Sequence, residues 1–167
     1  MGKAIGLILL ALVICIAAIV RLRPLAADTH HINLRELVRA DDFSAGVSGH
    51  YETLSLAVNA GDIAKNIADV VEGTPRTTRL SGSLVEGGNP LVSHATYVTR
   101  SALWGFPDVT TIEVETTNMG AYVRIYGRLI YGKSDMGVNK ARIEDWIDQL
   151  YALPMKDSFG NPIKRPS

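Results

Sequence analysis

The chain has 167 residues, room for one domain of ordinary size, and its 17 Lys and Arg side chains balance 17 Asp and Glu. Three of those bases, Lys3, Arg21 and Arg23, precede the first acid, which leaves 14 basic against 17 acidic side chains from Asp28 onward. No concentrated basic face remains to meet phosphates, which argues against nucleic acid as a partner, and the single Cys15 excludes a disulfide within the chain.

Ala4 to Val20, AIGLILLALVICIAAIV, carries no charge and no strong hydrogen-bonding side chain. As a helix at ~1.5 Å per residue it would extend about 25 Å, somewhat short of the ~30 Å hydrocarbon core, and Lys3, Arg21 and Arg23 can snorkel across the difference. The rival reading is a cleaved signal peptide, for which PLAA at 24–27 offers small residues, but two arginines and a proline directly after the apolar run fit the end of an anchor better. Leu12-Val13-Ile14 before Cys15 lacks the small residue that lipoprotein processing prefers, so Cys15 reads as a membrane-embedded thiol. Lys3 and the terminal amine on one side nearly balance Arg21 and Arg23 on the other; a signal-anchor sending the long C-terminal part outward is the working orientation.

We divide the chain into an anchor over 1–23, a stalk over 24–49, a domain over 50–153 and a loose tail over 154–167. The stalk has no sustained period beyond a helical turn near Leu34 to Val38. Tyr51 to Val58 alternates as a strand, after which Ile63, Ile67, Val70 and Val71 mark one face of a helix, with Asp62 or Asn59 to cap it and Gly73 and Pro75 to end it. Thr77 to Val85 and Leu91 to Trp104 read as a hairpin around EGGNP at 86–90. In the strands that follow, Ile112 and Val114 share one face, and so do Ala121, Val123, Ile125, Leu129 and Tyr131. Since one residue of slip inverts every side chain, an even loop is required; Thr117-Asn118-Met119-Gly120 supplies it, pairing Ile112 with Ile125, Glu113 with Arg124 and Val114 with Val123. Glu113 and Arg124 are then expected on a solvated polar face. A last helix, Val138 to Leu153, carries Ile143, Trp146, Ile147 and Leu150 and stops at Pro154. Strand, helix, four strands and helix predict an α+β fold, an antiparallel sheet with helices on one face.

Arg100-Ser101-Ala102-Leu103-Trp104-Gly105-Phe106-Pro107-Asp108, followed by two strands and then Gly132-Lys133-Ser134-Asp135-Met136-Gly137-Val138-Asn139-Lys140-Ala141-Arg142-Ile143, resembles the bacterial domain of unknown function 1499 family over about His50 to Leu150. The apolar helix followed by IVRLRP is similar to its membrane-anchored members. One departure is visible: Leu129-Ile130-Tyr131 stands where the family carries a polar Arg and Ser pattern, with Arg128 further back. The resemblance implies an α+β domain in the bacterial envelope and brings no catalytic residues; with the anchor it places the chain in the inner membrane, single-pass, with a periplasmic domain.

No residue set is expected to be catalytic or to hold a metal, and no cofactor is implied. Ser134 and Asp135 stand where a helix N-terminus is capped, with Asn139 able to bond back into the turn; the alternative is a binding site for an anion there, assisted by Lys133, Lys140 and Arg142. Trp104 and Phe106 are expected to close the end of the core, the alternative being an exposed patch for a partner or lipid. A hydrolase would need His94 or His50 within reach of Ser134 or Asp135. The reading this supports is a membrane-anchored envelope protein whose domain is a non-catalytic binding or assembly module, with an envelope protein or lipid as partner. The alternative is a carrier of an apolar or lipid ligand held between the sheet and the C-terminal helix.

Overall fold

In a computed structural model, residues 2–39, 49–85, 91–157 and 159–165 are described. The first element, α1 (Gly2–Leu22), has 21 residues and so reaches about 32 Å, with Lys3 and Arg21 inside it at either end of the apolar run. It is long and apolar enough to cross a membrane, and no residue of its apolar window is buried among the described residues. Pro24 disfavours helical backbone at Arg23, where α1 has just ended. Then come two short helices, α2 (Ala27–His30) and α3 (Leu34–Arg39), and the main elements β1 (Gly49–Leu56), α4 (Ala60–Glu72), β2 (Thr77–Ser83), β3 (Val92–Arg100), β4 (Pro107–Thr117), β5 (Gly120–Leu129) and α5 (Val138–Ala152).

The five strands form one antiparallel sheet in the order β1-β5-β4-β3-β2, an α+β fold as expected. The β4–β5 register pairs Ile112 with Ile125, Glu113 with Arg124 and Val114 with Val123, as the alternation requires. Its loop is tighter than expected: Thr117 pairs with Gly120, so only Asn118 and Met119 form the tip, which preserves the even count and therefore the register. Gly120 has φ of 131°, and a Cβ there would run into the Leu56 carbonyl of the neighbouring chain segment, so no other residue fits the corner.

Several boundaries differ from expectation. β1 starts and stops two residues before the expected Tyr51 and Val58, because the Asn59 side chain accepts from the Gly61 and Asp62 N–H groups and opens α4 there. β3 ends at Arg100, short of Trp104: the chain turns back as Gly105 N–H donates to the Ser101 carbonyl and Phe106 N–H to the Ser101 hydroxyl. β2 and β3 pair with a bulge at Leu80, and the expected turn at 86–90 lies outside the described residues.

On one face of the sheet, Ile63, Ile67 and Val71 of α4 and Ile143, Trp146, Ile147 and Leu150 of α5 pack against Tyr97, Ile112, Val114, Val123 and Ile125. Val70, expected in that stripe, is only partly buried; Ala64 and Ala68 complete it instead. Each fully buried aliphatic side chain contributes about 1.5–3 kcal/mol. The two helices also meet by a polar contact, the buried Trp146 indole N–H donating to the Thr74 hydroxyl at 2.7 Å just past the end of α4.

The other face is not solvated. The described part of the expected stalk runs across it as a strap: Leu34 is fully buried, its N–H donates to the Glu113 carboxylate at 2.6 Å, and Arg35 pairs with Glu115. Glu113 is consequently only 2% exposed, which corrects its assignment to a solvated face. The tail is corrected as well. Met155 is buried, Ile163 packs against the core and donates its N–H to the Met155 carbonyl, and the Asp157 carboxylate organises the intervening turn by accepting from Phe159 and Asn161.

Candidate functional site

The turn between β5 and α5 draws four of the expected site residues into one network. The Asp135 carboxylate accepts from the N–H groups of Gly137 (3.1 Å) and Asn139 (3.0 Å) and from the Asn139 amide (2.9 Å). Gly137 is the formal cap residue and offers no side chain, so Asp135 does the capping from two residues further out. Ser134 tightens the same turn by accepting from Met136 N–H at 3.2 Å. Asn139 is fully buried, and its carbonyl oxygen receives the Arg142 guanidinium at 3.1 Å. That oxygen lies over Gly127 of β5, where a Cβ would approach it to 2.9 Å, so the glycine is what lets α5 sit so close to the sheet. Arg142 also donates to Asp108 at 2.8 Å and thereby ties α5 to the start of β4. Burial pushes the Asp108 carboxyl above its ordinary value, with the Arg142 hydrogen bond opposing and nearby Asp135 adding to the rise. These groups satisfy one another, which is the signature of an anchor for α5. Lys133 stands exposed beside them.

Trp104 and Phe106 do not close the core. They are 44% and 43% exposed at the β3–β4 turn, and Leu103 beside them is 74% exposed. Phe106 meets Tyr131, itself exposed, edge to face at 6.5 Å, so this turn and the β5–α5 turn form one apolar surface at one end of the sheet. The end of α1 reaches the same place. Arg100 donates to the carbonyls of Val20, Arg23 and Gly105, each at 3.1 Å, and Arg21 donates to the Ala102 carbonyl at 3.3 Å. Arg100 thus supplies donors to the carbonyls that the end of a helix leaves unpaired, where a cation also suits the helix dipole.

Under the strap lies a second polar cluster that sequence reasoning did not assemble. His31 stacks on His94 with ring centroids 3.9 Å apart, and its Nδ1 is 2.8 Å from the Thr96 hydroxyl. Arg128 donates to the His30 carbonyl at 2.7 Å, and Arg124 bonds to Glu115 at 2.9 Å while standing 3.8 Å from Glu113. Burial lowers both imidazoles below their usual range; the His94 ring beside it lowers His31 further. Burial raises Glu113, against the Leu34 N–H and the Arg124 and Arg35 charges. The only signal for this cluster in the sequence was the adjacent His30-His31 pair, which carries no address for its partners.

Of the two histidines a hydrolase could use, His94 pairs with Glu113, five residues along β4 from Asp108 and hence about 17 Å of strand from the β5–α5 turn. His50 lies opposite Gly127, nearer that turn, and bonds to Glu52. Ile143, Trp146, Ile147 and Leu150 fill the middle of the space between the sheet and α5, where the carrier reading would place a ligand. A cleft of about 260 Å³ remains at the edge, between β1 and α5, and others of about 410 Å³ and 770 Å³ lie where the C-terminal segment crosses α4 and the β4–β5 turn.

The fold and this turn define a class: a small α+β domain with an antiparallel sheet, helices on one face and a final helix pinned by an Asp-Asn-Arg network. A family model described as a protein of unknown function, DUF1499, matches residues 36–150, and the chain belongs to that family. The match begins inside α3, so it takes in the end of the strap. Among solved structures, a Mesorhizobium loti protein is similar at 8% identity over 61% of this chain and 93% of its own, with a TM-score of 0.45. A Chromobacterium violaceum protein is 14% identical over 64% of this chain and 96% of its own, with a TM-score of 0.37. A two-domain aromatase/cyclase from the steffimycin biosynthetic pathway is 12% identical over 71% of this chain and 56% of its own, at 0.30. No curated protein matches the chain.

Proposed function

We propose that this chain is a single-pass protein of the bacterial inner membrane whose periplasmic α+β domain is a non-catalytic binding or assembly module. The observation that supports the reading is the uncovered apolar surface of α1, whose end is fastened to the domain by Arg100, beside a β5–α5 turn whose polar residues serve one another. An uncovered apolar helix of that length suits a bilayer, and its end is held by Arg100. At the β5–α5 turn the carboxylates and the amide that a reaction or an anion would call on are committed to holding α5. The partner is accordingly an envelope protein or a lipid of the same membrane.

Purification of the intact protein in mild detergent, with mass spectrometry of co-purifying proteins and lipids, tests the module. A reproducible companion supports it, and a preparation free of both, yet active on a small substrate, overturns it. Fusion of alkaline phosphatase to the C-terminus tests the orientation: activity places the domain outside the cytoplasm, and an inactive but intact fusion reverses it.

A further inference from the structure

The exposed aromatic end of the sheet points at one occupant. Leu103, Trp104, Phe106 and Tyr131 are large, apolar and exposed, and they sit on two turns that belong to the same end of the sheet. The β3–β4 turn is fastened to the end of α1 by Arg21 and Arg100, so this patch lies within one or two side chains of the point where the apolar helix stops. Aromatic side chains collect at the level where hydrocarbon gives way to headgroups, because a ring there can be half in each. The half-exposed Trp104 and Phe106 have that character. The charges around them have the matching sign. Arg21, Arg23 and Lys133 are exposed there, while the nearby Asp108 is committed to Arg142 and Asp135 to the turn. A basic, aromatic rim suits the anionic surface of a bilayer.

We infer that this end of the domain rests in the lipid–water interface of the membrane that α1 crosses, with Trp104 and Leu103 among the headgroups and upper acyl chains. The inference rests on the anchoring proposed above and adds that the domain lies against the bilayer and does not stand off from it. The outermost turn is then a second, weaker membrane contact. It fixes which end of the sheet faces the lipid and leaves the β4–β5 turn pointing into the aqueous space.

The test uses the intact protein reconstituted in phosphatidylethanolamine and phosphatidylglycerol vesicles, with bromine placed at defined depths on the acyl chains. Tryptophan emission has two sources, Trp104 on the patch and Trp146 in the core, and a Trp104→Phe variant isolates the second. The expected result is that lipids brominated near the headgroup quench Trp104 at least twofold more than those brominated near the chain ends, while Trp146 is spared. Leu103→Asp, at a site too exposed to unsettle the core, should reduce that quenching at least twofold. Quenching of Trp104 by aqueous iodide and not by bromolipid, in protein that remains with the vesicles after an alkaline wash, overturns the contact and leaves the anchor standing. Protein that leaves the vesicles in the wash overturns the anchor and the contact together. Protection of Trp104 from iodide in native membranes but not in vesicles that hold this protein alone assigns the patch to a protein partner and overturns the lipid contact.

Discussion

Replacing Asp135 by Ala separates an anchor for α5 from a ligand site. The carboxylate receives the Gly137 and Asn139 N–H groups and the Asn139 amide, and Asn139 is fully buried. Losing a helix cap costs about 0.5–2 kcal/mol, and leaving a buried amide donor unpaired costs about 1–3 kcal/mol. The two losses share a side chain and do not simply add, so about 2–4 kcal/mol is the expected total. With a urea dependence of about 2 kcal/mol per molar for a domain of this size, the unfolding midpoint should fall by about 1–2 M. Buried Trp146 reports the transition by fluorescence in mild detergent, α1 remaining in its micelle. Asp135→Asn keeps a carbonyl acceptor and should recover about half of the loss, giving up the favourable interaction of the charge with the helix dipole. A midpoint within about 0.3 M of the parent, with co-purifying partner or lipid lost, would refute the anchor reading and make this turn a binding site.

Thr74→Val takes the acceptor from the buried Trp146 N–H and should cost about 1–3 kcal/mol; the same substitution should cost less in a Trp146→Phe background, and additive losses in a double-mutant cycle would show that the bond is not coupled. Gly120→Ala forces a side chain into positive φ against the Leu56 carbonyl and should lower Tm by at least about 5 °C, for a cost of about 1–3 kcal/mol. Docking of the strap should weaken as pH falls below 6.5, because burial holds His31 and His94 below that value and only the undocked chain takes up the protons; Glu113, raised above 4.5, opposes this at lower pH, where docking favours its protonated form. Hydrogen exchange at Leu34 N–H reads it: protection should fall between about pH 7 and pH 5.5, less steeply in His94→Phe, and a pH-independent opening equilibrium would sink the coupling.

What was legible in the sequence was what repeats or stays local. The parity of β4 and β5 fixed their register because every residue votes for it, and the stripe on α5 announced Ile143, Trp146, Ile147 and Leu150 by recurrence. The cluster at Ser134, Asp135, Asn139 and Arg142 could be gathered because one turn holds it, whereas Asp108, which completes it, is 34 residues from Arg142 and left no local trace. Glu113 shows the converse error. Alternation assigns it correctly to the face away from α4 and α5, but whether that face meets water depends on a segment 79 residues earlier. The strap docks through single contacts, a buried Leu34, one backbone N–H and a stacked imidazole, and such one-off contacts have no period to detect. Trp104 and Phe106 failed for another reason: aromatic residues around a glycine read alike in a core and on a surface, and exposure alone distinguishes them.

The two faces of the sheet are closed by different physics, and the difference bears on how the domain sits. α4 and α5 close theirs by apolar burial that depends on no outside reference. The strap closes the other by directional contacts, and it is the same segment that leaves α1. Arg23 is held by Arg100 at the end of β3, His30 by Arg128 near the end of β5, and Leu34 by Glu113 in the middle of β4. Six residues lie between the first two attachments and three between the next two, so the path from α1 to the centre of the sheet has little slack, quite unlike a flexible linker of this length. If α1 spans the membrane, the distance between domain and bilayer is then set by hydrogen bonds and not by linker entropy. Loosening the strap would change that distance before it changed the core, because its described contacts lie on the face away from α4 and α5.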